Sequence, residues 1–307
     1  MSHAVRCSRL LPTALLLLTG GCERLKPKQQ LPPFLVLMEQ DRGEEPKEAA
    51  LRAFPLAAKV AGRWNDVSFD PENESGDWQK VTLERFPLKA RPTLQALSLG
   101  RPIGEVVIDS VGPEEVACNR LVLGHARLKA MKVPAGSLKA PLHFLGALGL
   151  PNQEDWTCFI DLKRREEIQK HLEALARASL KVPSNIDLET PAWGWFQGGK
   201  PARSFVAGSL VFRLPQDSEG LQHLAVWNAV VEISGTGTLN IVWESSGVGV
   251  ETEPPLTYEF LDAVDLDGDG LPEILFRATA YESSGFSLLA IGPGPAKVIW
   301  TGSEYGC

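Results

Sequence analysis

Four carboxylates within nine residues are the part of this sequence whose residue types and spacing point most directly to a chemistry. Asp265, Asp267 and Asp269 alternate at positions 1, 3 and 5 of the segment, Gly270 stands at position 6 and Glu273 at position 9. A short loop with this pattern can wrap a hard cation in oxygen ligands, and the glycine permits the sharp turn. Without a cation the carboxylates would repel one another, so the sequence favours a metal-binding loop over a tight acidic turn without metal.

The residues around this loop exclude an EF-hand, because that motif needs a bidentate glutamate at position 12 and a helix on each side. Position 12 here is Phe276, and the flanking segments 256–264 and 273–280 are predicted strands. The loop resembles the calcium loops of FG-GAP and VCBS repeats, which follow D-x-D-x-D-G-x-x-[DE] and join two strands of a β unit. The resemblance implies Ca²⁺ as a structural cofactor. Because Ca²⁺ is plentiful outside the cytoplasm, we expect a dissociation constant on the order of 10⁻⁴–10⁻³ M. It also implies the ligands, which are Asp265, Asp267, Asp269, Leu271 through its backbone carbonyl, and Glu273.

A pair of tryptophans is a second candidate for ligand binding. Trp193 and Trp195 are separated by one glycine and followed by Phe196, and exposed aromatic rings flanked by glycines can stack on sugars. In an alternating strand the two tryptophans share one face and Phe196 lies on the other. The same pattern is typical of a strand that covers a β core at a domain edge, and the sequence favours that interpretation over glycan contact.

The first 21 residues have the layout of a secretory signal peptide. Arg6 and Arg9 precede an apolar run over residues 10–18, which is too short for a stable spanning helix. The segment Leu18-Thr19-Gly20-Gly21-Cys22 resembles a bacterial lipobox, in which cleavage precedes the cysteine and the thiol carries a diacylglycerol. The resemblance implies a signal peptide over residues 1–21 and lipidation of Cys22. The alternative is an ordinary secretory signal with an incidental thiol.

Lipidation at Cys22 implies that the mature chain is attached to a membrane without a spanning helix. Several acyl chains, at about 0.8 kcal/mol per buried CH₂, are sufficient for stable attachment. Residues 22–33 contain three prolines and would form a stiff lipidated tether. Glu23 is not the aspartate that retains bacterial lipoproteins at the inner membrane. We therefore expect a cell-envelope protein, with an outer-membrane anchor favoured, either on the periplasmic face or at the cell surface.

Three further cysteines, Cys118, Cys158 and Cys307, remain after the leader is removed and Cys22 is lipidated. Cys118 and Cys158 both lie in apolar, strand-like segments, and a bridge between them would close a loop worth roughly 4 kcal/mol in the chain-entropy model. Two buried free thiols are an equally good interpretation. Cys307 is the last residue and could reach either partner, so its pairing stays open.

The chain is long enough for about two domains. Residues 34–182 predict a mixed α+β domain, in which apolar spacing indicates a helix over 161–181 that ends before Pro183. Residues 183–307 predict an antiparallel all-β domain, because glycine and proline separate short apolar runs. By the resemblance above, this domain would contain an FG-GAP/VCBS-like β unit. Its predicted strands are 204–213, 223–233, 238–244, 256–264, 273–280, 285–291 and 296–301.

Charge and motifs restrict the function classes. The formal net charge of −7 argues against a nucleic-acid partner, which needs a basic face. The sequence has no nucleophile elbow, zinc-protease motif or phosphate-binding glycine loop. We therefore expect a binding or structural module of the cell envelope whose partner is another envelope protein or a glycan. The alternative is a secreted or periplasmic hydrolase with its active site between the two domains, which a deep pocket with convergent ionisable groups would favour.

Overall fold

The computed structural model describes residues 33–40, 51–66, 92–116, 119–131, 143–148, 150, 162–189, 192–198, 201–292 and 294–306. These residues are mostly β, with sixteen strands and one helix, and they form three sheets. Among them, no helix has both the length and the apolar character that a membrane span requires.

Six antiparallel strands close into a barrel in the order β1-β7-β4-β5-β6-β2, because β2 also pairs with β1. A short strand, β3, extends β2 as a hairpin. Side chains inside the barrel, among them Val36, Leu94 and Val106, form the barrel core, while alternate neighbours such as Gln95 and His125 are exposed. The bounds are β1 Phe34–Gln40, β2 Leu51–Val60, β3 Arg63–Asp66, β4 Thr93–Ser98, β5 Arg101–Val116, β6 Asn119–Met131 and β7 His143–Leu148.

The first strand is apolar along most of its length because both of its faces are buried. Phe34, Val36 and Met38 point into the barrel core, whereas Leu35 and Leu37 point outward into a second cluster. That cluster, the barrel–sheet core, also contains Leu275 and other side chains of a C-terminal sheet. An uninterrupted apolar run is expected for a strand covered on both sides.

The C-terminal sheet is a four-stranded antiparallel meander in the order β13-β14-β15-β16. Its strands alternate between two cores: Leu275 faces the barrel, whereas Ile274 and Phe276 face the opposite side. This four-stranded sheet is therefore the central layer of the described fold. Its bounds are β13 Thr257–Val264, β14 Glu273–Thr279, β15 Ser283–Ala290 and β16 Lys297–Gly306.

A five-stranded antiparallel sheet covers the other face of the four-stranded sheet. Phe196 stacks on Phe260 at 5.1 Å between ring centroids, and a Cβ at Gly194 would lie 2.1 Å from that same ring. This close approach therefore requires glycine at position 194. The sheet contains β8 Asp187–Leu188, β9 Ala192–Gly198, β10 Arg203–Arg213, β11 His223–Ile233 and β12 Leu239–Val250, with β10 pairing to β8, β9 and β11.

The described helix, α1 Leu162–Leu180, packs on the outer face of the five-stranded sheet. Ile168, Leu172 and Ala176 are spaced along one helical face and form a helix–sheet core with Trp227 and other residues of β10 and β11. Helix α1 confirms the predicted helix at 161–181 to within one residue at each end.

The prediction of an α+β N-terminal domain is wrong. The described fold is about 65% strand, and the part before the helix is a six-stranded barrel. Local periodicity located the helix correctly but could not show that its apolar face packs on β10 and β11, which follow it in sequence. Strands β5 and β6, with 16 and 13 residues, pair along most of their length in the barrel. In the C-terminal region, β11 matches its predicted bounds, and β10, β13 and β14 match within one residue.

Candidate metal centre

The acidic loop connects two adjacent strands of the central layer. Val264 at the end of β13 pairs with Glu273 at the start of β14, so residues 265–272 form the whole connection. Gly268 and Gly270 adopt positive φ angles of 83° and 82°, which side-chain-bearing residues rarely adopt. These two glycines let the backbone coil tightly between strands whose positions are set by packing on both faces.

The aspartates hold the coiled backbone through their carboxylates. Asp265 accepts hydrogen bonds from the N–H groups of Gly268 and Gly270 at 2.6 and 3.0 Å. Asp267 and Asp269 each accept one from the residue two positions further on, at 3.1 and 2.7 Å. Local turns of this kind are a common use of aspartate, and here they direct three side chains to the inside of one loop.

The structure brings the three predicted aspartate ligands together. One carboxylate oxygen from each of Asp265, Asp267 and Asp269 lies within 4.8 Å of the others. Oxygens bound to one Ca²⁺ at about 2.3–2.6 Å lie at most about 5 Å apart, so this spacing fits a shared ion. Asp265 is 1% exposed and forms the base of the cluster, while Asp267 and Asp269 are exposed at its rim. The donor set, made only of carboxylate oxygens, suits a hard cation.

Glu273 lies at the base of the loop but is not one of the three clustered carboxylates. It is 4% exposed, and its Oε2 accepts the N–H of Leu266 at 2.7 Å. Burial raises the pKa of Glu273 to about 8; the Leu266 N–H opposes the rise, and the charges of Asp267, Asp265 and Asp269 add to it. A cation in the loop would offset the cost of burying the charged carboxylate, because it would stabilise the ionised form of Glu273.

Asp269 and Leu271 contact each other on the loop. Burial raises the pKa of Asp269; the Leu271 N–H opposes the rise, and the carboxylates of Asp267 and Asp265 add to it. Leu271 is half-buried on the loop and donates its N–H to Asp269. The geometry thus unites the aspartates and places Leu271 and Glu273 beside them.

A cavity of about 500 Å³ opens beside the loop, and sequence reasoning did not find it. One wall is the β2–β3 hairpin of the barrel, and the other consists of the acidic loop together with β14, β15 and β16. No pattern in the sequence links these walls, because about 200 residues separate them along the chain. The lining residues are Lys59, Gly62, Arg63, Trp64, Leu266, Asp267, Glu273, Ala290, Lys297, Val298 and Ile299.

The two tryptophans proposed for ligand contact lie on β9 and pack toward α1. Trp195 is 8% exposed, belongs to the helix–sheet core and lies under the guanidinium of Arg165 at 5.3 Å. Trp193 is half-buried and contacts the edge of Trp227 at 6.3 Å between ring centroids. Both tryptophans therefore pack with the helix–sheet core, which is the arrangement that the sequence favoured over glycan contact.

Comparison of the chain with family models, curated proteins and solved structures returns no match. The lipobox and the FG-GAP/VCBS resemblance therefore stay predictions. Cys22, Cys118, Cys158 and Cys307 all lie outside the described residues, so the lipidation site and the disulfide alternatives stay predictions as well.

Proposed function

We propose that this chain is a lipid-anchored bacterial envelope protein that acts as a binding or structural module and carries one structural Ca²⁺ between β13 and β14. The observation that supports the calcium site is the convergence of Asp265, Asp267 and Asp269 to within 4.8 Å, at the end of a strand whose last four residues are buried. The envelope location rests on the leader and on Cys22, and the favoured partner is another envelope protein or a glycan.

A structural role follows from where the loop is attached. Leu266, the second loop residue, is 2% exposed and belongs to the barrel–sheet core, as does Val264 just before the loop. Ala263 belongs to the core on the opposite face. An ion that holds the loop would therefore restrain a hairpin that contributes to both cores, and its binding energy would add to the stability of the folded state.

Calcium is expected to stabilise the wild-type protein after it has been stripped with a chelator. At about 10 mM Ca²⁺, roughly ten to a hundred times the expected dissociation constant, linkage predicts about 1–3 kcal/mol and a rise in melting temperature. Asp267→Ala should abolish the rise, because it removes an exposed carboxylate of the cluster. Differential scanning fluorimetry with Ca²⁺, Mg²⁺ or chelator measures the effect.

Asp217→Ala is the matched control for the calcium experiment. Asp217 also accepts turn N–H groups, from Glu219 and Leu221 at 2.8 and 3.0 Å, but no carboxylate cluster surrounds it among the described residues. This variant should keep the full response to Ca²⁺. A wild-type melting temperature that does not change with Ca²⁺ contradicts the proposed site.

Cys22→Ser is expected to abolish lipid attachment when the chain is expressed in a bacterium with residues 1–21 in place. Wild-type protein should incorporate labelled palmitate and partition into the detergent phase, because two or more acyl chains give stable membrane binding. Cys7→Ser, which changes a cysteine inside the leader, should leave both properties unchanged. Equal labelling of wild type and Cys22→Ser would show that Cys22 is not the lipidated residue.

The cavity beside the loop favours one second candidate, the hydrolase. Asp267 and Glu273 both line it, and a carboxyl group whose pKa is raised to about 8 holds a proton at neutral pH, as a general acid must. Calcium binding separates the two functions. A loop that binds Ca²⁺ uses these carboxylates as ligands, whereas a loop without affinity for Ca²⁺ leaves Glu273 available as an acid.

A further inference from the structure

The cavity between the β2–β3 hairpin and the acidic loop has the size of a small-molecule site. Its volume of about 500 Å³ falls within the range of roughly 300–1,000 Å³ that is typical of ligand pockets. It lies between the barrel and the four-stranded sheet, a position at the junction of two structural units where such sites are common. Its walls combine a few charged side chains with an apolar surface, which is the usual composition of a specific site.

Three cationic side chains surround the cavity. Lys59 and Arg63 come from the hairpin, and Lys297 comes from the start of β16 on the opposite wall. In the part of the chain that the structure describes, none of the three forms an ion pair with a carboxylate, unlike Arg203 and Arg213, which pair with Glu232 and Glu189. Cations that converge on one cavity, and that form no ion pair with a described carboxylate, favour a positive potential that attracts an anion.

The two carboxylates that line the cavity belong to the proposed calcium site. Three cationic side chains outnumber the two carboxyl groups of the lining, which are those of Asp267 and Glu273. Ca²⁺ in the loop would add two positive charges beside the cavity. An anion in the cavity and Ca²⁺ in the loop would therefore strengthen each other's binding, because each reduces the repulsion that the other meets.

The rest of the lining is apolar and indicates a ligand with more than a charged group. Trp64 is half-buried and packs against the barrel–sheet core, with Leu266 and Ile299 as further apolar members of the cavity wall. An indole face gives a ring or short apolar body a surface on which to lie. Arginine and lysine at the rim suit a carboxylate or phosphate group, which arginine can bind through two parallel hydrogen bonds.

We propose that this cavity binds a small organic anion, with a carboxylate or phosphate carried on a body the size of a sugar ring, and that Ca²⁺ in the adjacent loop increases its affinity. The inference rests on the proposed calcium site and adds a ligand class to it. Arg63 and Lys297 hold the oxyanion from opposite walls, and Trp64 contacts the body of the ligand.

The test uses glucose 6-phosphate and glucuronate as anionic probes and glucose as the uncharged match, each titrated into protein with Ca²⁺ or with chelator. Calorimetry or ligand-observed NMR should detect binding of one or both anions but not of glucose. Ca²⁺ should strengthen that binding at least about fivefold, the lower end of typical coupling between sites. Arg63→Gln and Lys297→Gln should each weaken it at least about tenfold, the scale of a lost charged hydrogen bond.

Controls separate this inference from the proposed function. Lys170→Gln removes an exposed lysine on α1, far from the cavity in sequence, and should bind both probes as wild type does. Asp267→Asn should lose the effect of Ca²⁺ on anion binding, because it removes a ligand charge. If Ca²⁺ raises the melting temperature but neither anion binds, the anion site is overturned and the calcium site stands. Anion binding of equal strength with and without Ca²⁺ overturns the proposed coupling. Binding of glucose as strong as that of the anions overturns the proposed charge selectivity.

Discussion

Phe286→Ala is expected to lower the free energy of unfolding by about 3–5 kcal/mol, the usual cost of truncating a fully buried phenylalanine. Phe286 lies on β15, is 1% exposed and belongs to the barrel–sheet core. Its ring contacts Phe54 of the barrel and Tyr305 of β16, with centroids 6.3 and 6.1 Å away. The substitution would leave a cavity where the barrel meets the four-stranded sheet, and surrounding side chains from two structural units could not both move to fill it.

The unfolding experiment also tests how strongly the barrel and the four-stranded sheet depend on each other. Because their shared core contains Phe286, calorimetry should show one transition that moves as a whole to lower temperature. Val298→Ala, on the neighbouring strand and 40% exposed, is the control and should change stability by less than about 1 kcal/mol. Two transitions, of which Phe286→Ala shifts only one, would show that the units unfold independently. The domain boundary at residues 182–183 stays a prediction.

Asp262 is expected to make the protein less stable as pH rises. The residue follows a register shift in β13, is 3% exposed, and its Oδ1 accepts the N–H groups of Leu99 and Ala263, both at 2.7 Å. Leu99 lies in the tight turn between β4 and β5, so this carboxyl group links the barrel to the four-stranded sheet. Burial raises the pKa of Asp262 from its ordinary value of 3.8 to about 7, and the two N–H groups oppose part of the rise.

The sign of this dependence follows from linkage between protonation and folding. A pKa that is higher in the folded state means that the folded protein holds the proton more tightly than the unfolded chain does. The contribution of Asp262 is therefore fully present below pH 3.8 and is lost as pH rises through about 7. The difference between the two pKa values corresponds to up to about 4 kcal/mol.

Asp262→Asn isolates this contribution, because asparagine keeps the oxygen that accepts both N–H groups but never ionises. Urea unfolding of the two proteins between about pH 4 and about pH 8 should show the variant gaining about 3–4 kcal/mol relative to wild type. Chelator in every sample prevents changes in calcium occupancy from contributing. A constant difference between the two proteins across this range would mean that Asp262 has the same pKa in the folded and unfolded states.

Local patterns predicted the features that depend only on neighbouring residues. The bounds of α1 and of β11 followed from apolar spacing and from the residues that end helices and strands, such as Pro183. The three aspartates could be grouped from sequence alone, because a coiled loop of nine residues brings alternating side chains together without help from distant segments. Such patterns could not predict that the Glu273 side chain is buried, because its low exposure arises from packing between β14 and its neighbours.

By itself, the sequence predicted a leader, which stays a prediction, and it located the acidic loop with its candidate ligands and most strands after residue 200. Only the tertiary structure decided that six of the described strands before α1 form a barrel, because closure depends on β1 pairing with both β2 and β7, which are far apart along the chain. It also decided that α1 packs on β10 and β11, and that Lys59, Arg63 and Lys297 surround one cavity beside the loop. The physical reason is the same in each case. Periodicity shows which face of a helix or strand is apolar. The surface that covers that face is set by contacts between segments separated by many residues.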